Sequence, residues 1–138
     1  LCAPQCIIDK GVEKGVAKYA VDKTLKVKDA HVESVKKAYE KGIQIALGTD
    51  AGTPFNYHNN TAYEMELLAR LDISNIDILK MATINSARCV GVEKDYGSIE
   101  VGKQADLVCL NENPLENISN VRKINRVIQS GKIVVDNN

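Results

Sequence analysis

Asp50 follows the apolar run Ile43-Gln44-Ile45-Ala46-Leu47 and is set among Gly48, Thr49, Ala51 and Gly52. A carboxylate with such small neighbours can be approached closely by a metal, a water or a substrate. It can ligate a hard or borderline cation, and it can carry a proton between a nucleophile and a leaving group. The same side chain could do no more than cap its own loop through a hydrogen bond to backbone, and the local pattern leaves both roles open. A phosphate cradle fits less well, because no Lys follows the glycines as a P-loop requires and the spacing is not GxGxxG. His58 lies eight positions further on, in the same Gly-, Thr-, Pro- and Asn-rich stretch. It is a candidate to touch substrate at the loop mouth, against the plainer reading of an exposed or hydrogen-bonded loop histidine. His31, near Asp29 and Glu33, reads as a surface or structural residue. Asn85 and Arg88 read as ties from a helix to neighbouring backbone, and Asp106 as the stabiliser of a turn.

These residues need elements to hold them. Cys6-Ile7-Ile8 is a short apolar run after Pro4 and reads as a buried strand; residues 11–28 are Lys-rich and fit a helix or an irregular excursion. Asp29 is a candidate N-cap for a helix carrying Val32, Val35 and Tyr39 at helical spacing, with Gly42 placed as a C-terminal glycine. Residues 43–47 then read as a strand, so that helix, glycine, strand and polar loop follow the rhythm of an α/β unit with a parallel sheet. Carboxylates at the C-terminal ends of such strands sit where ligands gather. Thr61-Ala62-Tyr63-Glu64 has the form of a capping box, continued by Met65, Leu68 and Leu71. Ser74 and Asp77 open a further helix containing Ile78, Met81 and Ala82, and Asn85-Ser86-Ala87-Arg88 adds a turn or two that stops before Gly91. From residue 97 the texture is β-rich, with a strand at Asp106–Leu110. Arg126–Gln129 and Ile133–Val135 make a hairpin around Ser130-Gly131-Lys132.

Composition narrows the partners. Eighteen basic residues balance 18 acidic ones, which gives no electrostatic reason to expect nucleic acid or an anionic membrane. With five Tyr, one Phe and no Trp, a stacking platform for bases is not expected. No apolar run is long enough to span a bilayer, and Leu1-Cys2-Ala3-Pro4 lacks the basic and apolar regions of a signal peptide. It also lacks an initiator Met, so the chain is expected to begin within a longer protein. Cys2, Cys6, Cys89 and Cys109 show no CxxC pairing, and with only two histidines a self-contained structural zinc site is not expected. The cysteines read as reduced, mostly buried thiols of a cytoplasmic protein.

Taken in order, Ile45–Gly52, Leu79–Ala87 and Gly97–Val108 resemble three consecutive segments of the amidohydrolase superfamily, with Asn113-Pro114-Leu115 and Val127–Lys132 continuing in the same style. The likeness is nearest to imidazolonepropionase-like and Xaa-Pro dipeptidase-like hydrolases, and covers residues 43–136 well. It implies an α/β fold: residues 1–96 as the last βα units of a TIM-like (β/α)8 barrel, and 97–138 as C-terminal strands of a small β-sandwich domain. Asp50 matches the eighth-strand aspartate of that family, which binds metal and moves the proton. The activity implied is hydrolysis of a C–N bond other than an internal peptide bond, in a dipeptide or cyclic amide. The cofactor implied is a divalent metal, zinc. The family's first-strand His-x-His, its middle-barrel lysine or carboxylate and its two later histidines have no counterpart here, and Ala3-Pro4-Gln5 stands where relatives often have Pro-Thr. The chain alone is therefore expected to be inactive and to bind no metal tightly. Its expected partners are a small-molecule substrate and the remaining N-terminal part of the barrel, with the chain either a homo-oligomer or a fragment associated with that part. A competing expectation is a non-catalytic structural or assembly module derived from the same family.

Overall fold

The computed structural model describes residues 1–11 and 13–137. Two compact units are present: one takes Leu1–Gln44 and Gly48–Asp72, the other Ile45–Leu47 and the chain from Ile73 onward.

The first unit is helical: α1 (Cys2–Lys10), α2 (Lys18–Glu40) and α3 (Thr61–Ala69). The expected strand at Cys6-Ile7-Ile8 is instead part of α1. A short apolar run does not distinguish strand from helix, and Cys2 and Cys6, one helical turn apart, pack with Leu67 of α3 in a core flanked by Phe55 and Tyr63. Gly11 closes α1 at close quarters, where an added Cβ would lie 2.9 Å from Val21 Cγ2 of α2. The expected N-cap Asp29 lies in the middle of α2, which starts eleven residues earlier at Lys18. No Gly or Pro interrupts residues 16–41, so the helix runs through both stretches that the pattern had separated. Its end is as expected. Gly42 has φ +68°, its N–H donates to Tyr39 O, and Ile43 N–H donates to Ala38 O, the paired bonds of a Schellman motif.

The capping box expected at Thr61–Glu64 is not formed. Asn60 occupies the N-cap position, but its side chain makes no capping bond and donates instead to the sulfurs of Cys2 and Cys6. Glu64 is buried, where its carboxylate accepts the N–H of Cys2 in the first turn of α1. Glu64 therefore satisfies an orphan donor of a neighbouring helix rather than one of its own.

In the second unit, α4 (Asn75–Lys80) begins as expected at Ser74, whose Oγ accepts from Asp77 N–H. It runs through a π-helical turn, Met81–Asn85, into α5 (Ser86–Cys89). Gly97 packs on that turn: with φ +92°, an added Cβ would fall 2.8 Å from Ala87 Cβ and 2.9 Å from Ile84 Cα. The 43–47 segment, expected as a strand, joins no β-ladder among the described residues. A strand needs a neighbour, and here the backbone groups of 45–47 turn to helix partners. Leu47 N–H donates to Met81 O (3.0 Å), Asn85 Nδ2 donates to Ile45 O (3.1 Å), and Ser86 Oγ accepts from Leu47 N–H (3.2 Å).

The sheet among the described residues is antiparallel and three-stranded, in the order β1 (Leu107–Leu110), β2 (Ile124–Gln129), β3 (Lys132–Asp136). Val127 pairs with Val108 on one side and Val135 on the other. The hairpin turn is the expected one. Ser130 and Gly131 both have positive φ, +48° and +75°, as a two-residue turn matched to strand twist requires. Asp106 stabilises this turn, its carboxylate accepting Ser130 N–H at 2.7 Å. No helix among the described residues is long and apolar enough to cross a membrane.

Candidate functional site

The segment from Gly48 to Asn60 is a loop of turns joining the extended stretch to α3. Asp50 is exposed and adopts the left-handed backbone conformation, φ +54°. This region is disfavoured for residues with a Cβ, though Asp tolerates it better than most. Neighbouring donors hold it there. The peptide carbonyl of Asp50 accepts from Asn56 Nδ2 at 3.0 Å and from Thr53 Oγ1 at 3.2 Å. Asn56 Nδ2 donates as well to the carbonyl of Thr49, and Gly52 N–H donates to Asn56 O at 2.9 Å. The carboxylate of Asp50 has no hydrogen-bond or ion-pair partner among the described residues. It does not cap its loop; the loop is closed by Asn56, and the carboxylate is left to solvent.

Asn56 escaped the sequence reading. It is 1% exposed, and its Oδ1 accepts from Cys2 Sγ at 3.1 Å. Nothing in Thr53-Pro54-Phe55-Asn56 separates it from the exposed Asn59 nearby; its burial depends on α1, far away in sequence. Cys2 itself is fully buried, 3.7 Å from Cys6 Sγ. Burial, and next the hydrogen bond with Cys6, pushes the Cys2 thiol up to about 12, so at neutral pH it is a protonated donor to Asn56. All four cysteines are free; Cys2 and Cys6 are buried, whereas Cys89 and Cys109 are exposed, contrary to the expectation of mostly buried thiols.

His58 is exposed on the same loop, in a turn closed by Asn60 N–H on Tyr57 O at 3.0 Å. Among the described residues no hydrogen bond or ion pair joins it to Asp50. His31 is an exposed residue of α2 that lines a shallow cleft with Pro4, Lys28, Val32, Leu67 and Arg70. In the other unit, Asn85 ties its helix to Ile45 as expected, and Ser86, which the sequence reading did not single out, does the same for Leu47.

A catalytic zinc takes about three protein ligands. Among the described residues no group of three or more His, Cys, Asp or Glu side chains is arranged to hold a metal ion. Asp50, an unpaired carboxylate on a fixed backbone, fits one oxygen position of such a site; the remaining positions are not filled by described residues.

The model of the amidohydrolase family matches residues 5–134. A 5-methylthioadenosine/S-adenosylhomocysteine deaminase of Thermoanaerobacter pseudethanolicus is 33% identical over 124 residues, which is 75% of this chain and 28% of that protein. An imidazolonepropionase of Shouchella clausii is 35% identical over 101 residues, covering 70% of this chain and 23% of its own length. The crystal structure of a Xaa-Pro dipeptidase with methionine bound in its active site superposes with a TM-score of 0.84 at 29% identity, over 96% of this chain and 32% of that one. The chain thus spans between 23% and 32% of the length of these similar proteins.

Proposed function

This chain belongs to the amidohydrolase family, and from that premise we propose that it is the C-terminal portion of a metal-dependent hydrolase of a C–N bond. The bond is one outside internal peptide linkages, in a dipeptide or a cyclic amide. The similar proteins include an imidazolonepropionase and a Xaa-Pro dipeptidase, which supports that substrate class. In this reading, residues 1–96 complete a (β/α)8 barrel whose earlier units lie on an N-terminal part, and 97–138 add strands to a β-sandwich. The unladdered 43–47 segment and the exposed apolar side chains of the sheet, Val108, Ile133 and Val134 among them, support both assignments.

The observation that carries the proposal is the presentation of Asp50: its backbone is pinned by two donors while its carboxylate is unpaired. Asp50 would be one of the residues that hold a divalent ion, zinc. Such an ion, when bound, polarises a carbonyl and lowers the pKa of water from 15.7 towards about 7. Asp50 takes the proton of the attacking water and delivers it to the leaving nitrogen, which an exposed, unpaired carboxylate can do within hydrogen-bond reach. His58 contacts the small-molecule substrate from the loop mouth. The protein works in the cytoplasm, and this chain is either homo-oligomeric or associated with its N-terminal part; a compact monomer of the chain at every concentration in sedimentation would contradict the latter statement.

The test joins this chain to its N-terminal barrel part and offers a panel of dipeptides and cyclic amides with zinc supplied. Hydrolysis of at least one, lost on chelation, is expected. Absence of turnover across the panel by a folded, zinc-loaded protein would favour the non-catalytic module.

A further inference from the structure

Asn56 is the most deeply buried polar residue of the first unit, and every polar atom of its side chain is used. Its orientation is fixed by chemistry. Two backbone carbonyls, which can only accept, face the amide nitrogen, and a thiol that stays protonated faces the amide oxygen. The two carbonyls belong to consecutive residues, Thr49 and Asp50, so a single amide group sets both peptide planes on either side of the Asp50 Cα. That Cα has φ +54°. Without donors to hold its carbonyl, the residue gains by relaxing to negative φ, which would swing the Asp50 carboxylate to another direction. Thr53 Oγ1 provides a second, longer bond to the same carbonyl.

We propose that Asn56 is the positioning residue of Asp50, aiming its carboxylate at the metal through the peptide planes on either side, with Cys2 of α1 locking the Asn56 amide. The proposal rests on the reading of Asp50 as a metal ligand. Partners that orient a ligand in this way are worth about 10- to 100-fold in metal affinity.

The test measures Zn2+ affinity, by competition with a chromophoric chelator, on the chain joined to its N-terminal barrel part. Asn56→Asp keeps the shape and the acceptor for Cys2 but replaces the two donors with an oxygen facing two carbonyls. It should lower zinc affinity by about 10- to 100-fold. Thr53→Val, a milder change on the loop surface, should lower it less and in the same direction, and decides the matter if Asn56→Asp does not fold. Leu67→Ala in the core of the same unit should lower the melting temperature and leave zinc affinity of the folded protein unchanged. Asp50→Ala should cost at least as much affinity as Asn56→Asp. Wild-type affinity in both Asn56→Asp and Thr53→Val, with affinity lost in Asp50→Ala, overturns the positioning role alone. An equal loss in Leu67→Ala also overturns it, since the effect would then be one of general stability. Wild-type affinity in Asp50→Ala overturns the ligand reading and the positioning role together.

Discussion

At the scale of single residues, the site rests on a division of labour between two polar side chains six positions apart. Asp50 presents an unpaired carboxylate, and Asn56 donates to the backbone carbonyls of Thr49 and Asp50, which a carboxylate, being only an acceptor, could not do. Asp50 stood out as a candidate because its neighbours are small and its surroundings follow a recognisable order. Asn56 did not, because its burial comes from Cys2, 54 residues away in sequence. The loop aspartate's alternative role as a cap was likewise undecidable from local pattern, since both roles require the same residue. His58 is exposed and makes no bond to Asp50 among the described residues. If it contacts substrate and not the reacting atoms, His58→Ala should raise KM several-fold with kcat nearly unchanged, as loss of uniform binding requires. A fall in kcat at constant KM in steady-state kinetics would assign it a chemical role instead.

At the scale of elements, punctuation was read more reliably than type. Gly42, Ser74 and Ser130-Gly131 each terminate or start an element through bonds that depend on one or two adjacent residues, and each appears where the sequence placed it. Cys6-Ile7-Ile8 and Asp29 were misread, because their states are set by packing against α3 and by an uninterrupted helix that begins at Lys18. The π-helical turn at Met81–Asn85 had no sequence signal either; Ser86 Oγ bonds to Met81 O at 2.6 Å and to the Leu47 backbone, an arrangement defined only in three dimensions. Gly97 is the residue that lets the following chain lie against this turn. Gly97→Ala combines a left-handed φ with a Cβ placed under 3.0 Å from Ala87 Cβ and Ile84 Cα. It should destabilise the second unit by roughly 1–3 kcal/mol, seen as a lower denaturant midpoint. An unchanged midpoint would show that the packing relaxes without cost.

At the scale of the whole chain, stability should depend on alkali through two groups, one buried and one partly buried. Cys2 is held up to about 12 from 9.0 by burial first, and Tyr63 up to about 12 from 10.0 by burial and its hydrogen bond to Asp9. Both are neutral when protonated, and the folded state keeps its proton longer than the unfolded chain. Their contribution is complete below pH 9, and is lost as pH rises from there towards about 12. Cys2→Ser retains a hydroxyl donor for Asn56 but does not ionise, so its chemical-denaturation midpoint should fall less than the wild type's between pH 9 and 10. Equal slopes for the two proteins would mean that the thiol does not carry this term.

Among the described residues no group of three or more His, Cys, Asp or Glu side chains could hold a metal ion, so in the proposed function Asp50 is one ligand and the others come from elsewhere in the protein. The direct measurement is zinc content and C–N bond hydrolysis of three proteins: these 138 residues alone, the chain joined to its N-terminal barrel part, and the joined protein carrying Asp50→Ala. The expected result is turnover only in the joined wild type, with Asp50→Ala lowering it by at least about 10²-fold and depleting zinc. Turnover by the isolated chain, or a joined Asp50→Ala protein with full zinc content and wild-type rate, would contradict the account.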